Sequence, residues 1–186
     1  YLERLRREAE ISMRLDHPNV VKGHGFGEEG GYQFLVMSFA PGKSLRELLK
    51  LWGRFPENQV RDIGRQLADA LRSAHELGIV HRDVSFKNIM IAFEGDVKLT
   101  DFGIARSAQG TRLTKTGMYM GTPEYSSPEQ SDTERTVDQR SDIYSLGIVL
   151  YELVTGRVPF SGENPLAVIN AHLHKRARPP HELKPG

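Results

Sequence analysis

Two polar side chains in the middle of the chain, Asn88 and Asp101, have the types and the spacing of a cation site. The dipeptide Glu94-Gly95 lies between them, flanked by two apolar segments, and predicts a tight hairpin turn. If this turn is the centre, residue i faces residue 189 − i, and Asn88 faces Asp101. Oxygen ligands of this kind suit Mg²⁺, which binds through few protein ligands together with substrate phosphates. An ordinary hairpin with two polar ends would have the same pattern.

Asp83 lies five residues before Asn88, in the same predicted loop. A carboxylate in that position could meet the proton of a substrate hydroxyl, which is the work of a general base. Asp83, Asn88 and Asp101 therefore form the candidate site that the rest of the chain must position.

The elements around this site are predicted from the spacing of the apolar residues. We predict helices over residues 1–15, 57–77 and 142–155, a short helix capped by Ser44, and strands over 20–25, 32–39, 79–80, 89–93 and 97–100. The helix over 142–155 is apolar on most sides, so it should be buried in the middle of the domain. The basic segment 172–178 is typical of a solvated face.

Glu8 departs from the pattern of the first helix. Projected on a helical wheel, it falls on the apolar side between Leu5 and Leu15. A charged side chain that is directed inward needs a partner.

The composition excludes several classes of protein. The 186 residues are 38% apolar, which is enough for a core. A net charge of +1 excludes a strongly basic nucleic-acid-binding protein, and the lack of cysteine excludes disulfide scaffolds and thiolate zinc sites. No apolar run approaches the ~18 residues of a membrane span. We therefore expect a cytoplasmic domain with neither nucleic acid nor membrane as a partner, although a longer parent protein could be anchored outside this segment.

Three motifs in order indicate a family. They are His81-Arg82-Asp83 followed by Asn88, then Asp101-Phe102-Gly103, then Ser127-Pro128-Glu129. In order and spacing they resemble the signature set of protein kinases, and the resemblance covers nearly the whole chain. It is strongest to bacterial serine/threonine kinases of the eukaryotic type. The resemblance implies an α+β fold with two lobes, the second mainly helical.

The resemblance implies a role for each candidate residue. Asp83 resembles the catalytic base, and Asn88 and Asp101 resemble the two protein ligands of the Mg²⁺ that bridges the ATP phosphates. Glu8 resembles the helix glutamate that pairs with a strand lysine. In the family this lysine and the Gly-rich phosphate loop together form the ATP clamp. We therefore expect ATP and Mg²⁺ as cofactors, with Mn²⁺ as an alternative metal.

The same resemblance implies an adenine pocket. Met37 resembles the residue that gates the back of the pocket, and Ser38 and Ala40 would present backbone groups to the adenine edge. Met90 resembles the pocket floor, although a methionine on a strand can equally be plain core.

Four residues are expected to support the site without taking part in the chemistry: His81, Phe102, Glu129 and Asp142. Asp142 resembles the aspartate of the buried helix that accepts hydrogen bonds from the catalytic loop.

Regulation can be predicted in the same way. Arg82 precedes the catalytic aspartate, and such kinases often need a phosphate in the activation loop to neutralise this arginine. Thr114 and Thr116 occupy the place of the paired phosphothreonines of the bacterial family, although they could be ordinary loop threonines. Thr122 resembles the loop threonine that lies near the catalytic aspartate in serine/threonine-specific kinases.

The chain departs from the family pattern in the catalytic loop. Serine/threonine kinases usually have a lysine two residues after the catalytic aspartate, where this chain has Ser85. Lys87 stands four residues after Asp83, where many tyrosine kinases place an arginine with the same duty. We hypothesise that Lys87 contacts the transferred phosphate. A solvated loop lysine is the alternative.

A second departure is the lack of a Gly-rich phosphate loop and of a lysine to partner Glu8. The sequence is therefore interpreted as a kinase domain cut at both ends, with a partial small lobe over 1–37, a hinge over 38–43 and a large lobe over 44–186. We expect little or no kinase activity from these 186 residues alone.

The function that the resemblance implies is transfer of the ATP γ-phosphate to serine or threonine hydroxyls of proteins. Autophosphorylation of the activation loop, with homodimerisation as its route, is part of this expectation. A pseudokinase that serves as a regulatory scaffold is the alternative. Ser85 and the missing lysine allow it, whereas the presence of Asp83, Asn88 and Asp101 argues against it.

Overall fold

The structure, a computed structural model, describes residues 10–102, 121–131 and 135–183. Its helices are α1 (Leu45–Trp52), α2 (Glu57–Glu76), α3 (Gln139–Thr155) and α4 (Pro165–His174), and its strands are β1 (Gly23–Glu29), β2 (Tyr32–Met37), β3 (Lys43–Ser44), β4 (Ile89–Ile91) and β5 (Val97–Leu99). Residues 10–14 are also helical and end the first predicted helix, whose remainder, with Glu8, lies outside the described residues.

The strands form two antiparallel sheets. One contains β1 and β2, and the other has the order β3-β4-β5. Few strands and a mainly helical remainder confirm the predicted α+β class. None of the helices in the described part of the chain combines the length and the apolar character that a membrane crossing requires.

The core lies between α2 and α3. Leu67 and Leu71 of α2 and Val149 and Leu153 of α3 are fully buried, because their 3- and 4-residue spacing places them on facing sides. The predicted burial of α3 is confirmed for most of its apolar residues, whereas Ile143 is exposed. Ser44 caps α1 as predicted, through a reciprocal pair of hydrogen bonds with Glu47.

Two predicted elements differ from the structure, and one observed α-helix was not predicted. β1 continues to Glu29 because Gly30 and Gly31, with φ of 58° and 80°, close a two-residue hairpin turn to β2. Residues 79–80 do not form a strand, since the backbone N–H of Ile79 donates to the carbonyl of Ala74 at the end of α2. α4 was not predicted, and it buries one residue of the basic segment, His172.

The register of the β4–β5 hairpin also differs from the prediction. The observed pairs are Ile89 with Leu99 and Ile91 with Val97, so residue i faces residue 188 − i. The loop has three residues, closed by a 2.8 Å hydrogen bond from the Ala92 N–H to the Asp96 carbonyl, with φ of 91° at the glycine that ends the loop. The expected pairing of Asn88 with Asp101 was therefore wrong by one residue.

The segment before β1 is attached to β5. Val20 forms a parallel bridge with Leu99, and the side chain of Asn19 donates to Gln66 on α2 (2.7 Å) and to the carbonyl of Val97 (2.8 Å). These bonds attach the segment that follows the first helix to α2 and to the strand that leads to Asp101.

Candidate active site

The loop that precedes β4 is held by the side chain of Asp142, near the start of α3. This carboxylate is fully buried and accepts the backbone N–H of His81 on Oδ2 (2.8 Å) and that of Arg82 on Oδ1 (2.7 Å). His75 of α2 places its Nε2 2.8 Å from the same Oδ2. The contacts predicted for Asp142 are therefore present, and they tie the loop to the two core helices.

Two residues of the candidate site have strained backbones. Arg82 has φ of 66° and Asp101 has φ of 55°, in the left-handed region that residues with a Cβ rarely adopt. The Arg82 N–H donates to Asp142, and the Arg82 carbonyl accepts a 2.8 Å bond from the Gln130 amide, so the strained residue is held at both its N–H and its carbonyl. Strain of this kind persists only where the surroundings enforce it.

His81 is a buried, neutral ring beneath the loop. Its Nε2 lies 2.9 Å from the carbonyl of Thr100, which can only accept, so Nε2 has the proton. The bare Nδ1 then accepts the backbone N–H of Asp83 at 3.2 Å. Burial lowers the pKa of His81, which keeps this tautomer uncharged. The ring of Phe102 packs on it at 4.5 Å between centroids.

Asp83 is surrounded by the two residues predicted to act with it. The Nδ2 group of Asn88 donates to the Asp83 carbonyl (2.9 Å) and to its Oδ2 (3.0 Å). The ammonium of Lys87, half exposed, lies 3.1 Å from the same Oδ2. The structure thus brings the candidate base, an amide and a cation together on one side of the loop.

Asn88 and Asp101 are joined through Thr100. The Thr100 N–H donates to the Asn88 carbonyl at 2.9 Å, and Asp101 follows directly. Because the Asn88 Nδ2 group is committed to Asp83, its Oδ1 is the atom left for a cation. Asp101 is exposed, and its carboxylate makes no hydrogen bond to any other described residue. A hard-oxygen pair of this kind fits Mg²⁺, which takes its other ligands from water and phosphates.

The residues predicted to bind adenine lie where β2 ends. A small cavity of about 10 Å³ is lined by Met37, Asp101 and Phe102, among others, so the predicted gate adjoins the predicted metal ligand. The Ser38 N–H donates to the Lys22 carbonyl at 2.8 Å. Within the described ranges the Ser38 carbonyl and the Ala40 N–H have no backbone partner.

Met90 lies on β4, between Ser44 of β3 and Lys98 of β5. Its side chain is partly buried. This position is compatible with both alternatives that the sequence left open, a pocket floor and plain core.

The segment 121–131 contains two residues that the sequence analysis singled out, Thr122 and Glu129, and Glu129 contacts Ser141 of α3. The Thr122 carbonyl accepts the Tyr125 N–H (3.1 Å) and the Ser126 hydroxyl (3.2 Å), which closes a 3₁₀ turn over Pro123–Tyr125. Glu129 accepts the hydroxyl of Ser141 at 2.5 Å. Glu8, Thr114 and Thr116 lie outside the described residues.

Sequence reasoning missed a buried polar cluster beside the loop. The Tyr125 hydroxyl donates to Glu152 of α3, and Arg46 of α1 lies 3.0 Å from that hydroxyl and 3.5 Å from the Glu152 carboxylate. Burial and the adjacent carboxylate raise the pKa of Tyr125, so it stays protonated. The sequence signal for this cluster was Glu152, a glutamate on the apolar face of a helix. As argued for Glu8, a charged side chain that is directed inward needs a partner.

The chain is similar to known proteins over nearly its whole length. The sequence model of the protein kinase domain matches residues 1–183. A probable serine/threonine-protein kinase of Clostridium perfringens is 42% identical over 182 residues, which are 98% of this chain and 26% of that protein. PrkC of Bacillus subtilis is 40% identical over 173 residues (93% and 26%), and PknA of Mycobacterium tuberculosis is 41% identical over 192 residues (100% and 44%).

The chain spans between a quarter and a half of the length of these relatives. The family match, by contrast, covers almost every residue and includes the loop, the metal-ligand candidates and α3. This chain belongs to the protein kinase domain family.

Proposed function

We propose that this chain is the catalytic part of a kinase that transfers the ATP γ-phosphate to serine or threonine hydroxyls of proteins. The observation that carries the proposal is the set of contacts around Asp83, whose carboxylate is fixed by Asn88 and faces Lys87 at 3.1 Å. Kinase catalysis is positioning and electrostatic stabilisation, and this arrangement supplies a fixed base with a cation beside it.

In the proposed reaction Asp83 orients the substrate hydroxyl and takes its proton. The hydroxyl oxygen forms a bond to the γ-phosphorus as the bond from that phosphorus to the β-phosphate oxygen breaks, which releases ADP. Lys87 lies close enough to Asp83 to neutralise charge on the transferred group. Asn88 and Asp101 would hold Mg²⁺, which when bound neutralises the phosphate oxygens. The adenine would be bound by Met37, Ser38, Ala40 and Met90.

Regulation of the proposed kinase involves the activation segment. We propose that Arg82 pairs with a phosphate on Thr114 or Thr116, because the guanidinium donates strong charge-assisted hydrogen bonds to phosphate oxygens. Autophosphorylation, through a homodimer, would supply that phosphate. Glu8 is proposed to pair with a lysine of the ATP clamp, and Thr122 to favour serine and threonine as substrates.

One observation favours a second function, a pseudokinase that binds without catalysis. The position of the usual catalytic-loop lysine is occupied by Ser85, whose buried hydroxyl has no hydrogen-bond partner in the described part of the chain. The short side chain of Ser85 cannot contact the transferred phosphate as a lysine would. Without a second cation such as Lys87 in that role, the chain would bind nucleotide without catalysis.

Radiolabelled phosphate transfer from ATP to a serine/threonine peptide tests the proposal in the full-length protein. Asp83→Asn should lower the rate about 10²- to 10⁴-fold, the usual contribution of a general base. Asp101→Asn should abolish the Mg²⁺ dependence of nucleotide binding. The matched control is Asp62→Asn, an exposed aspartate on α2, which should leave the rate unchanged. Nucleotide binding with no transfer by the wild type would favour the pseudokinase.

A further inference from the structure

Phe86 is a buried aromatic residue of the catalytic loop that the site described above does not use. It stands between Ser85, in the position of the usual lysine, and Lys87, and its side chain is fully buried. It begins the 3₁₀ turn Phe86–Asn88, which the Asn88 N–H closes by donating to the Ser85 carbonyl at 2.9 Å. Since this turn also contains Lys87, the packing of the Phe86 ring affects where that lysine lies.

Two side chains from other elements lie against the ring of Phe86. The guanidinium carbon of Arg46, on α1, is 5.6 Å from the ring centroid, within the range of a cation–π contact. The ring of Tyr125 is 5.8 Å away between centroids, at an interplanar angle of 40°. The loop ring is therefore held by a cation and by a second aromatic ring, neither of which belongs to the loop.

Arg46 is itself fixed in this position. Its Nη2 donates to the Tyr125 hydroxyl at 3.0 Å, and its Nη1 lies 3.5 Å from the carboxylate of Glu152 on α3. The Tyr125 hydroxyl donates its single proton to Glu152, so it can accept from Arg46 at the same time. A planar guanidinium can donate along its edge while it lies over an aromatic ring, which an ammonium group does less well.

Lys87 is the residue of the turn whose position depends most on this packing. Asn88 is also fixed by two bonds from its Nδ2 group to Asp83, at 2.9 Å and 3.0 Å. Lys87 is half exposed, and it extends a long side chain from the turn to within 3.1 Å of the Asp83 carboxylate. A displacement of about 1 Å can lower a rate that depends on positioning by about 10²-fold, so a small movement of the turn matters.

We infer that Arg46 is a positioning residue for Lys87. Its guanidinium holds the ring of Phe86, and the packing of this ring sets the turn that presents the lysine to Asp83. The inference rests on the proposed function, because the position of Lys87 affects the rate only if this lysine acts on the transferred phosphate.

A double-mutant cycle between Arg46 and Lys87 tests the inference in the full-length protein, with a serine/threonine peptide as substrate. Arg46→Met keeps an unbranched apolar side chain and removes the charge. It should lower kcat about three- to tenfold, as expected for the loss of one cation–π contact, and leave the KM for ATP unchanged. In a Lys87→Ala background the same substitution should change kcat by less than about twofold, since the group on which Arg46 acts is absent.

Arg61→Met, at an exposed arginine of α2, is the matched control and should leave kcat unchanged in both backgrounds. Equal effects of Arg46→Met in the two backgrounds would overturn the inference, because a purely structural loss adds to the loss at Lys87. A wild-type kcat in Arg46→Met or in Lys87→Ala would also overturn it.

Phe86→Leu serves in the same cycle if Arg46→Met does not fold. It removes the aromatic ring and leaves the bonds from Arg46 to Tyr125 and Glu152 in place. The expected loss of kcat, its dependence on Lys87 and the outcomes that overturn the inference are the same as for Arg46→Met.

Hydrogen exchange at the Asn88 N–H is a second measurement, and it does not depend on catalysis. This N–H closes the turn, so its exchange rate reports opening of the turn, whereas the N–H of Leu71, in the core of α2, reports unfolding of the domain. In Arg46→Met the rate at Asn88 should rise about three- to tenfold more than the rate at Leu71, and equal changes would overturn the inference. If the wild type transfers no phosphate, the proposed function and the role of Lys87 fail together, and the exchange at Asn88 still decides whether Arg46 holds the turn.

Discussion

Asp142 accepts the backbone N–H of Arg82 at 2.7 Å, and Arg82 has the left-handed φ of 66°. The two residues are 60 positions apart in the sequence. The carboxylate also accepts the backbone N–H of His81, so a side chain of α3 fixes the conformation of the loop that presents Asp83. Because the backbone N–H groups of His81 and Arg82 are both held, the position of Asp83 is set before a substrate binds. Catalysis by positioning requires this preorganisation.

The first prediction concerns this anchor. Asp142→Asn removes the charge and turns an amide N–H group toward one of two buried backbone donors. The free energy of unfolding should fall by about 1–3 kcal/mol, the cost of a buried donor left without an acceptor, and the phosphotransfer rate should fall at least tenfold. Urea unfolding and the peptide assay measure the two effects. An Asn variant as stable and as active as Asp62→Asn would contradict this account of Asp142.

The second prediction concerns Lys87. Lys87→Ala should lower kcat about 10²-fold with little change in the KM for ATP, since one charged group that acts on the transferred phosphate is lost. Lys87→Arg keeps the charge and should retain most of the activity. Lys50→Ala, at an exposed lysine of α1, is the control for loss of a positive charge elsewhere. An unchanged kcat in Lys87→Ala would favour the solvated-lysine alternative.

The third prediction concerns Gln66, which joins α2 to the segment before β1 and to β5. Its Oε1 accepts the Asn19 side chain at 2.7 Å and the Val97 N–H at 2.9 Å. Gln66→Leu leaves these donors without an acceptor, so the free energy of unfolding should fall by about 1–3 kcal/mol. Gln66→Glu keeps the acceptor oxygens, so its free energy of unfolding at pH 7 should fall by less than half of the loss seen in Gln66→Leu. Equal losses in the two variants, measured by urea unfolding, would count against the bond as the cause.

The fourth prediction concerns pH. His172 has a pKa of about 4 in the folded protein, against an ordinary value of 6.5. Between these values the unfolded chain binds a proton that the folded chain does not, so the free energy of unfolding falls as the pH decreases from 6.5 toward 4 and is fully retained above 6.5. His172→Gln should therefore lose less stability than wild type between pH 7 and pH 5.

Urea midpoints at pH 7, 6 and 5 measure this difference. The variant will still lose some stability, because burial lowers the pKa of His81 as well. Identical pH dependence in the variant and the wild type would show that His172 is not a buried neutral ring.

How far the sequence predicts this fold depends on the kind of element. α2 was predicted over 57–77 and is observed over Glu57–Glu76, because a long run of apolar residues at helical spacing has a single interpretation. α3 begins three residues before its predicted start, at Gln139, since its first turn is polar and is defined by the Asp138 cap. α4 has no clear periodicity of its own and was missed.

The sequence by itself determined the identity of the candidate residues. Their order and spacing along one loop and one hairpin are local properties, so Asp83, Asn88 and Asp101 could be named before any coordinates. The family match over residues 1–183 includes their positions.

Only the tertiary structure decided how these residues meet. The hairpin register changed by one residue because the number of residues in a turn is not contained in apolar periodicity. The anchor of Arg82 on Asp142, and the bonds of Gln66 and His172, join residues that are far apart in sequence. A buried polar group takes its partner from whatever packing brings near, and packing is a property of the whole folded chain.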